Sequence, residues 1–555
     1  MVDTINPPSD GNNVPPTDPL SAMSLLPSAA LFSVAQLRET EQCAQALLPP
    51  HALMQRAGLA AANLAGELIA AQGTVSVPPV PTALIVAGPG NNGGDAFECG
   101  AHLAVRGWRI TVLVPLPAPQ ASADRMQSLA RLQRCSVDWV ETADPAVLRN
   151  LSAQPWSLVI DGLFGIGVTR ALSGAAQVAV DCMNAIAAPL LALDVPSGLN
   201  ADTGAIAAGD GPHAKVCVRA THTLTFIGDK PGLHTCDGRD HVGLVSVAGL
   251  DIPAAQFPPP TAWLNRPELF AHASHVRLHN SHKGSFGDVQ IIGGASGMRG
   301  AALLAAHAAL KSGSGRVLIG FADADADATF NGAPQYDPVH PELMCCDAEH
   351  LDFSHATLVV GPGLGTTPAA GTLLMRACRG DTPLVVDADA LNLVATTPSL
   401  ADAVGRRADR GLITLMTPHP LEAARLLAHS AASVQADRLG AAGELAMRYR
   451  ATVILKGSGT VIADGSHLVI NPTGNPALAT GGTGDVLSGM CGALLAQGWP
   501  AREAALGAVW IHGKAADRLV ACGVGPTGVT ATEIIDAARI EFNLLARRTT
   551  TRWPG

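Results

Sequence analysis

Short apolar runs that end in glycine-rich turns and open onto helical patterns recur twice along this chain, and that recurrence leaves few folds available. The first series reads as strand Ala83–Ala87, the loop Gly88-Pro89-Gly90-Asn91-Asn92-Gly93-Gly94-Asp95 and a helix over Ala96–Arg106. It continues as strand Ile110–Val114, helix Ala121–Leu132, strand Leu158–Asp161, helix Ala175–Ala187 and strand Leu190–Val195. Runs at Thr223–Ile227 and Gly243–Val247 close it, while Ser33 and the spacing of Ala52–Ala71 predict helices ahead of it. Strands that alternate with helices in this way imply a parallel, doubly wound sheet. The second series starts at strand Asp288–Ile292 and runs to the helix after Asp485.

At 555 residues the chain is too long for one core. The expected organisation is α/β throughout, with one domain over 28–255 and another over 278–546. The Pro-rich stretch around Phe257–Pro260 marks a linker at 256–277. Residues 1–27 read as a disordered tail without the pattern of a signal peptide, and 547–555 as a second short tail. A net charge of −10 and the lack of a basic run argue against nucleic acid as a partner. No run of about 18 apolar residues occurs, so no membrane span is expected. The 11 cysteines are scattered without a CxxC pair, which reads as reduced thiols in a cytoplasmic protein.

The first glycine loop formally matches a dinucleotide fingerprint, but the next strand ends Val114-Pro115 without an acidic residue for a ribose. An ordinary nicotinamide dehydrogenase is therefore disfavoured. Two other strand ends converge on the loop, Asp161-Gly162-Leu163-Phe164-Gly165-Ile166-Gly167 and Asp194-Val195-Pro196-Ser197-Gly198-Leu199. Asn92, Asp161 and Ser197 are candidate oxygen ligands for a cation, which leaves Asp194 for acid–base chemistry. Each Asp alone reads equally well as a cap or turn residue.

The second series carries its own set. Asp387-Ala388-Asp389-Ala390-Leu391-Asn392 suits hydrated Mg²⁺ or phosphate orientation. Thr417-Pro418-His419-Pro420 presents a histidine at a strand end, or simply a rigid turn. Lys456-Gly457-Ser458-Gly459-Thr460 offers a cation and backbone donors to a nucleotide. Thr480-Gly481-Gly482-Thr483-Gly484-Asp485 sets glycines and one carboxylate at a helix start, where an anion is favoured and a base can serve a phosphoryl acceptor. This is not a Walker A loop.

GPGNNGGD, DGLFGIG and LDVPSGLNADTG together resemble the YjeF N-terminal family of NAD(P)H-hydrate epimerases, over about Ser28–Pro253. The resemblance implies a Rossmann-like domain that interconverts the R and S hydrates at C6 with bound potassium. It places Asn91, Asn92, Gly93, Gly94 and Asp95 on substrate, with Gly165, Ile166, Gly167, Val168, Thr169, Arg170 and Ala171. It puts Asn92, Asp161 and Ser197 on potassium and Asp194 on substrate as acid/base. Ala96 stands where the family has glycine.

HKGxxG, GPGLG, DADALN, TPHP, KGxGT and NPxxATGGTGDVLxG occur in order from about Leu278 to Leu545. They resemble the ribokinase-like fold and, within it, the ADP-dependent NAD(P)H-hydrate dehydratases. The resemblance implies that Ala301, Gly363, His419 and Asp485 face the hydrated substrate, with Asp485 the catalytic base. Lys456, Gly457, Ser458, Gly459, Thr460 and Gly484 would hold the adenine nucleotide. Leu421 and Leu478 replace a glycine and a methionine of that pattern. The expected activity is bifunctional repair of hydrated NADH and NADPH, with K⁺ in the first domain, Mg²⁺ in the second and ADP as phosphoryl donor. The expected partners are small molecules, with a homo-oligomeric assembly. A small-molecule kinase with a fused nucleotide-binding regulatory domain is the alternative, since Asp485 would serve another hydroxyl equally well. A nucleotide-binding scaffold is a third class, disfavoured because both Asp95 and Asp194 are retained.

Overall fold

The computed structural model describes residues 29–71, 80–207, 215–322 and 337–549. The tail expected at 1–27 lies outside the described residues, as does 550–555. Residues 547–549 end the last helix, Ala531–Thr549.

Seven strands form the first sheet, all parallel. Their spatial order is Asp138–Val140, Arg109–Leu113, Thr82–Ala87, Leu158–Gly162, Leu190–Leu193, His222–Phe226 and Leu244–Ala248. Strand order reverses between Thr82–Ala87 and Leu158–Gly162, and the crevice beyond their carboxyl ends is where such sheets bind ligands. Buried Ala, Val, Ile and Leu cover both faces of this sheet, as parallel strands require.

The helix after the first strand spans Asn91–Val105 and not Ala96–Arg106, so most of the glycine-rich loop is its first turn. Weak helix propensity is overridden there by packing. A Cβ on Gly93 would strike the Gly88 carbonyl, where no larger side chain fits, and one on Gly94 would lie 2.6 Å from the Met54 sulfur. Strand Asp138–Val140 and helix Pro145–Ser152, not expected from the sequence, fill out the edge.

The second sheet has 11 strands. Thr452–Leu455, Thr414–Met416, Leu384–Val386, Thr357–Val360, Asp288–Gly293, Arg316–Phe321 and Met344–Asp347 are parallel neighbours in that order. Val461–Ala463 and Leu468–Ile470 extend it antiparallel. The switch point lies between Asp288–Gly293 and Thr357–Val360. Helices Arg299–Lys311 and Thr483–Ala496 cover one face in close contact, because a Cβ at Gly489 would run into the Ala305 carbonyl. Forcing a side chain in there would cost about 1–3 kcal/mol.

Two short strands finish the second sheet from outside the second series. Ala262–Leu264 pairs parallel with Leu468–Ile470, and Ala30–Leu31 pairs antiparallel with Ala262–Leu264. The stretch 256–277, expected as a linker, thus carries a strand of the second sheet, and residues just before the first domain's helices lie on its edge. No apolar periodicity can announce a strand of two or three residues. Among the described residues no helix is long and apolar enough to cross a membrane.

Candidate active sites

The first switch point opens into a cavity of about 810 Å³, within the usual range for ligand pockets. Asn91, Asn92, Asp95, Gly165, Ile166, Gly167, Val168, Thr169, Arg170, Ala171 and Asp194 all line it. Gly93 and Gly94 do not; they face inward against the fold.

Asp194 follows strand Leu190–Leu193 in a left-handed conformation, φ +66°, which an L-residue adopts only where its surroundings enforce it. One carboxylate oxygen lies 2.9 Å from the Lys230 ammonium, and the other accepts the Ile166 amide at 3.3 Å. Lys230 is buried, and it also donates to Thr225 Oγ1 and to the Phe226 and Gly228 carbonyls at 3.1 Å. Burial, with the nearby Asp194 charge, pushes the Asp95 carboxyl well up. Glu41, from helix Val34–Leu47, is raised by the same two causes.

Asp161 is fully buried beneath this wall. It accepts the Ser197 hydroxyl at 2.7 Å, the Ser197 amide at 2.8 Å and the Leu163 amide at 3.1 Å. Desolvation outweighs these bonds and leaves its pKa raised to about 6. Asn92 donates to the Leu193 carbonyl at 3.0 Å, while its own carbonyl oxygen is buried without a hydrogen-bond partner. An orphaned buried acceptor is costly unless something electropositive meets it.

In the second domain the motifs also meet. Gly294 and Ala295 amides donate to the Pro362 and Gly363 carbonyls at 2.9 and 2.7 Å across the switch point. A Cβ on Gly363 would lie 3.2 Å from that of Ala301, so these two residues share one wall. Asp389 accepts the Gly365 amide at 2.9 Å. His419 caps helix Pro420–Leu427: its Nδ1 accepts the Leu421 and Glu422 amides at 3.1 and 3.2 Å. With Nδ1 so used, the ring proton sits on Nε2, and burial followed by the Lys456 charge lowers the pKa.

Lys456 projects from the end of strand Thr452–Leu455 to Asp387 at 2.8 Å, with Glu422 at 4.0 Å. Desolvation alone would lower its pKa, but the carboxylates of Asp387, Glu422 and Asp485 outweigh it and the net shift is upward. A Cβ on Gly484 would lie 3.3 Å from the ammonium, which brings the glycine loop onto the lysine. Gly482, in the left-handed region at φ +91°, turns the chain into helix Thr483–Ala496, and Asp485 stands in its first turn. Burial first, then the Asp387 charge, raises Asp485 to about 7, against the pull of Lys456. Glu422 is raised to about 7, chiefly by burial.

A second cavity, of about 480 Å³, lies beside these groups. Lys456, Gly457, Ser458, Thr460 and Gly484 line it, as does Leu478. Gly459 does not, and Ala301, Gly363, His419 and Asp485 lie outside its lining. Sequence reasoning met Lys230 only within the stretch Lys230-Pro231-Gly232-Leu233 and passed over Glu422 and also Arg38 and Glu41, which line the first cavity. Only Glu422 carried a signal, as the acidic residue three positions after a helix cap; the others come from segments whose motifs say nothing about direction.

The sequence has relatives over both halves of the chain. The family model for NAD(P)H-hydrate dehydratase matches residues 289–539, and that for the YjeF-related protein N-terminus matches 50–232. The bifunctional NAD(P)H-hydrate repair enzyme Nnr of Coxiella burnetii is 33% identical over 92% of this chain and 99% of its own length. The Escherichia coli enzyme of the same name is 34% identical over 81% and 83%. Among solved structures, the ADP/ATP-dependent NAD(P)H-hydrate dehydratase from Bacillus subtilis is 29% identical over 51% of this chain and 98% of its own, with a TM-score of 0.44. With both halves matched and two relatives above 30% identity covered over most of their length, the chain belongs to the family of bifunctional NAD(P)H-hydrate repair enzymes, which join an epimerase to a dehydratase.

Proposed function

We propose that Asp194 is the acid/base of the epimerase and Asp485 the base of the dehydratase. The observation that carries this reading is the position of Asp485, in the first turn of a helix, beside Lys456 and Gly484, with a pKa of about 7. A carboxylate so tuned takes a proton readily at neutral pH. In the reduced hydrate, C6 bears both the ring nitrogen and the hydroxyl. Breaking either bond with one proton transfer flattens the carbon and lets it re-form on the other face. Asp194, held by Lys230 and the Ile166 amide in the cavity wall, supplies and recovers that proton.

In the second domain, Asp485 takes the hydroxyl proton while the substrate oxygen attacks the terminal phosphoryl of the nucleotide, breaking its phosphoanhydride bond so that AMP leaves from ADP. The helix start and Lys456 offset the charge that develops. The C6 phosphate ester then breaks at its C–O bond, pushed by the ring nitrogen, and loss of a C5 proton restores the ring double bond. Phosphate leaves far more easily than hydroxide, which is why a kinase-like site serves a dehydration. Lys456, Gly457, Ser458, Gly459, Thr460 and Gly484 hold the nucleotide, ADP in this reading. Ala301, Gly363 and His419 face the substrate.

Asn92, Asp161 and Ser197 are the potassium ligands of this reading, supported by the orphaned Asn92 carbonyl. Potassium there would fix the loop that carries Gly165 and screen the buried Asp161. Asp387, with one buried carboxylate oxygen unpartnered, and Asp389 suit Mg²⁺. Mg²⁺ would neutralise charge on the nucleotide phosphates. All 11 cysteines are free, which supports a reducing, cytoplasmic setting.

The test is recovery of absorbance near 340 nm from a mixed hydrate preparation with ADP, ATP or neither, comparing wild type with Asp485→Asn and Asp194→Asn. Full recovery needing a nucleotide, none with Asp485→Asn and a slow second phase with Asp194→Asn support the assignments. Unchanged kinetics in either variant refutes the role of that residue.

A further inference from the structure

One segment of the first domain reaches the nucleotide loop of the second. Thr235 is buried, and its hydroxyl proton is shared between the Ser458 and Gly459 carbonyls at 3.1 and 2.9 Å. The same oxygen accepts Arg438 Nε at 3.2 Å, and Arg438 also donates to the Leu455 carbonyl at 3.1 Å. The Cys236 amide donates to Ser458, whose hydroxyl donates back to the Cys236 carbonyl at 3.0 Å. Gly459 packs so closely on His234 that a Cβ would strike the His234 carbonyl. Four residues further on, Arg239 donates from Nη2 to the Pro472 and Gly474 carbonyls at 3.0 and 2.8 Å, and it lines the second cavity with Asp240.

This segment is no loose arm. It starts at Lys230, paired with Asp194, and the Gly232 amide is held by the Ala201 carbonyl at 2.8 Å. Its contacting residues, His234 to Asp240, fall between the two matched regions, after residue 232 and before 289.

We propose that the first domain completes the nucleotide site of the second, with Thr235 and Arg239 as positioning residues. Thr235 holds Ser458 and Gly459 in the arrangement that presents their amides to the nucleotide. Arg239 holds the loop Pro472–Asn475, which leads into the glycine turn before Asp485. The inference rests on the reading of Lys456–Thr460 as the nucleotide loop.

The experiment uses the full chain and purified S hydrate, so that no epimerisation is needed, and measures kcat and the nucleotide KM. Thr235→Val and Arg239→Ala are expected to raise nucleotide KM about tenfold, as loss of a buried hydrogen bond does, with kcat within about twofold. Thr235→Ser keeps the hydroxyl and should restore KM. Arg239→Lys keeps a cationic donor and should restore part of it. Lys456→Ala separates the two readings. If it leaves nucleotide KM unchanged, the nucleotide loop itself is misassigned. If it raises KM while Thr235→Val and Arg239→Ala stay within twofold of wild type, this inference alone falls. A drop in kcat with unchanged KM in those variants also overturns it.

Discussion

Asp194 holds its lysine in a direct ion pair, whereas Asp485 competes for one. Lys230 lies 2.9 Å from Asp194, and its other partners are a hydroxyl and two carbonyls. Lys456 lies 2.8 Å from Asp387, with Glu422 at 4.0 Å and the Asp485 charge a further influence. The first carboxylate is fixed in place, on a left-handed backbone and between an ammonium and an amide. The second is left partly uncompensated, and its pKa rises to about 7. On the roles proposed above, one residue type is used in two ways: as a rigid proton-handling group against C6, and as a base tuned for a hydroxyl during phosphoryl transfer.

The sharpest way to break this comparison is to remove each carboxylate in turn. Asp485→Asn is expected to slow dehydration of the pure S hydrate about 10²–10⁴-fold, the usual loss for a general base, without changing epimerisation. Asp194→Asn should slow epimerisation by a similar factor and leave dehydration of the S hydrate intact. Following the two epimers by chromatography separates the steps. Loss of both activities in either variant would mean that the pockets do not work as separate sites.

A smaller effect is expected from the lysine that Asp194 owns. Lys230→Met leaves Asp194 beside an apolar chain, and breaking a buried ion pair on one side costs about 3–5 kcal/mol. Asp194 retains some exposure at 13%, so the lower end applies. A thermal transition within a degree of wild type would show that the pair contributes no stability. Ser197→Ala tests the potassium site proposed beneath the same wall, with a weaker response of epimerisation to added K⁺ compared with Na⁺ as the expected outcome. An identical salt response would remove Ser197 from the ligand set.

How far the sequence carried differs between the two layers of each site. Residues on strand ends were legible, because a parallel sheet gathers its carboxyl-end loops at one edge. The glycine spacing also marks where a backbone must come close. Asp161, Asp194, Asp387, Lys456 and Asp485 all fall there, and the structure brings each beside its motif partners. What was not legible is whatever depends on the third dimension. Lys230 belongs to a noticed motif, yet nothing in Lys-Pro-Gly-Leu says its ammonium points at Asp194. Arg38 and Glu41 lie on a helix read only from its cap. The start of the helix at Asn91 escaped because glycines argue against helix, while the Gly88 carbonyl lies so close to Gly93 that only glycine fits there. Strand Ala30–Leu31 crosses to the other domain's sheet and is too short for any periodicity.

The subtlest consequence of the shared lysine is a pH profile that moves in opposite directions with two substitutions. As the proposed base, Asp485 would act only when ionised, so dehydration should rise about tenfold per pH unit below 7 and level off above it. Asp387 raises the Asp485 pKa and also holds Lys456 to itself. Asp387→Asn therefore removes a repelling charge and frees an attracting one, and the midpoint should fall to lower pH by about one unit. Lys456→Gln removes the charge that lowers Asp485, so the midpoint should climb. Both shifts are read from kcat at saturating nucleotide, which keeps altered affinity out of the profile. Midpoints that move together, or a flat profile from pH 5 to 9, would show that the proton is taken by a group other than Asp485.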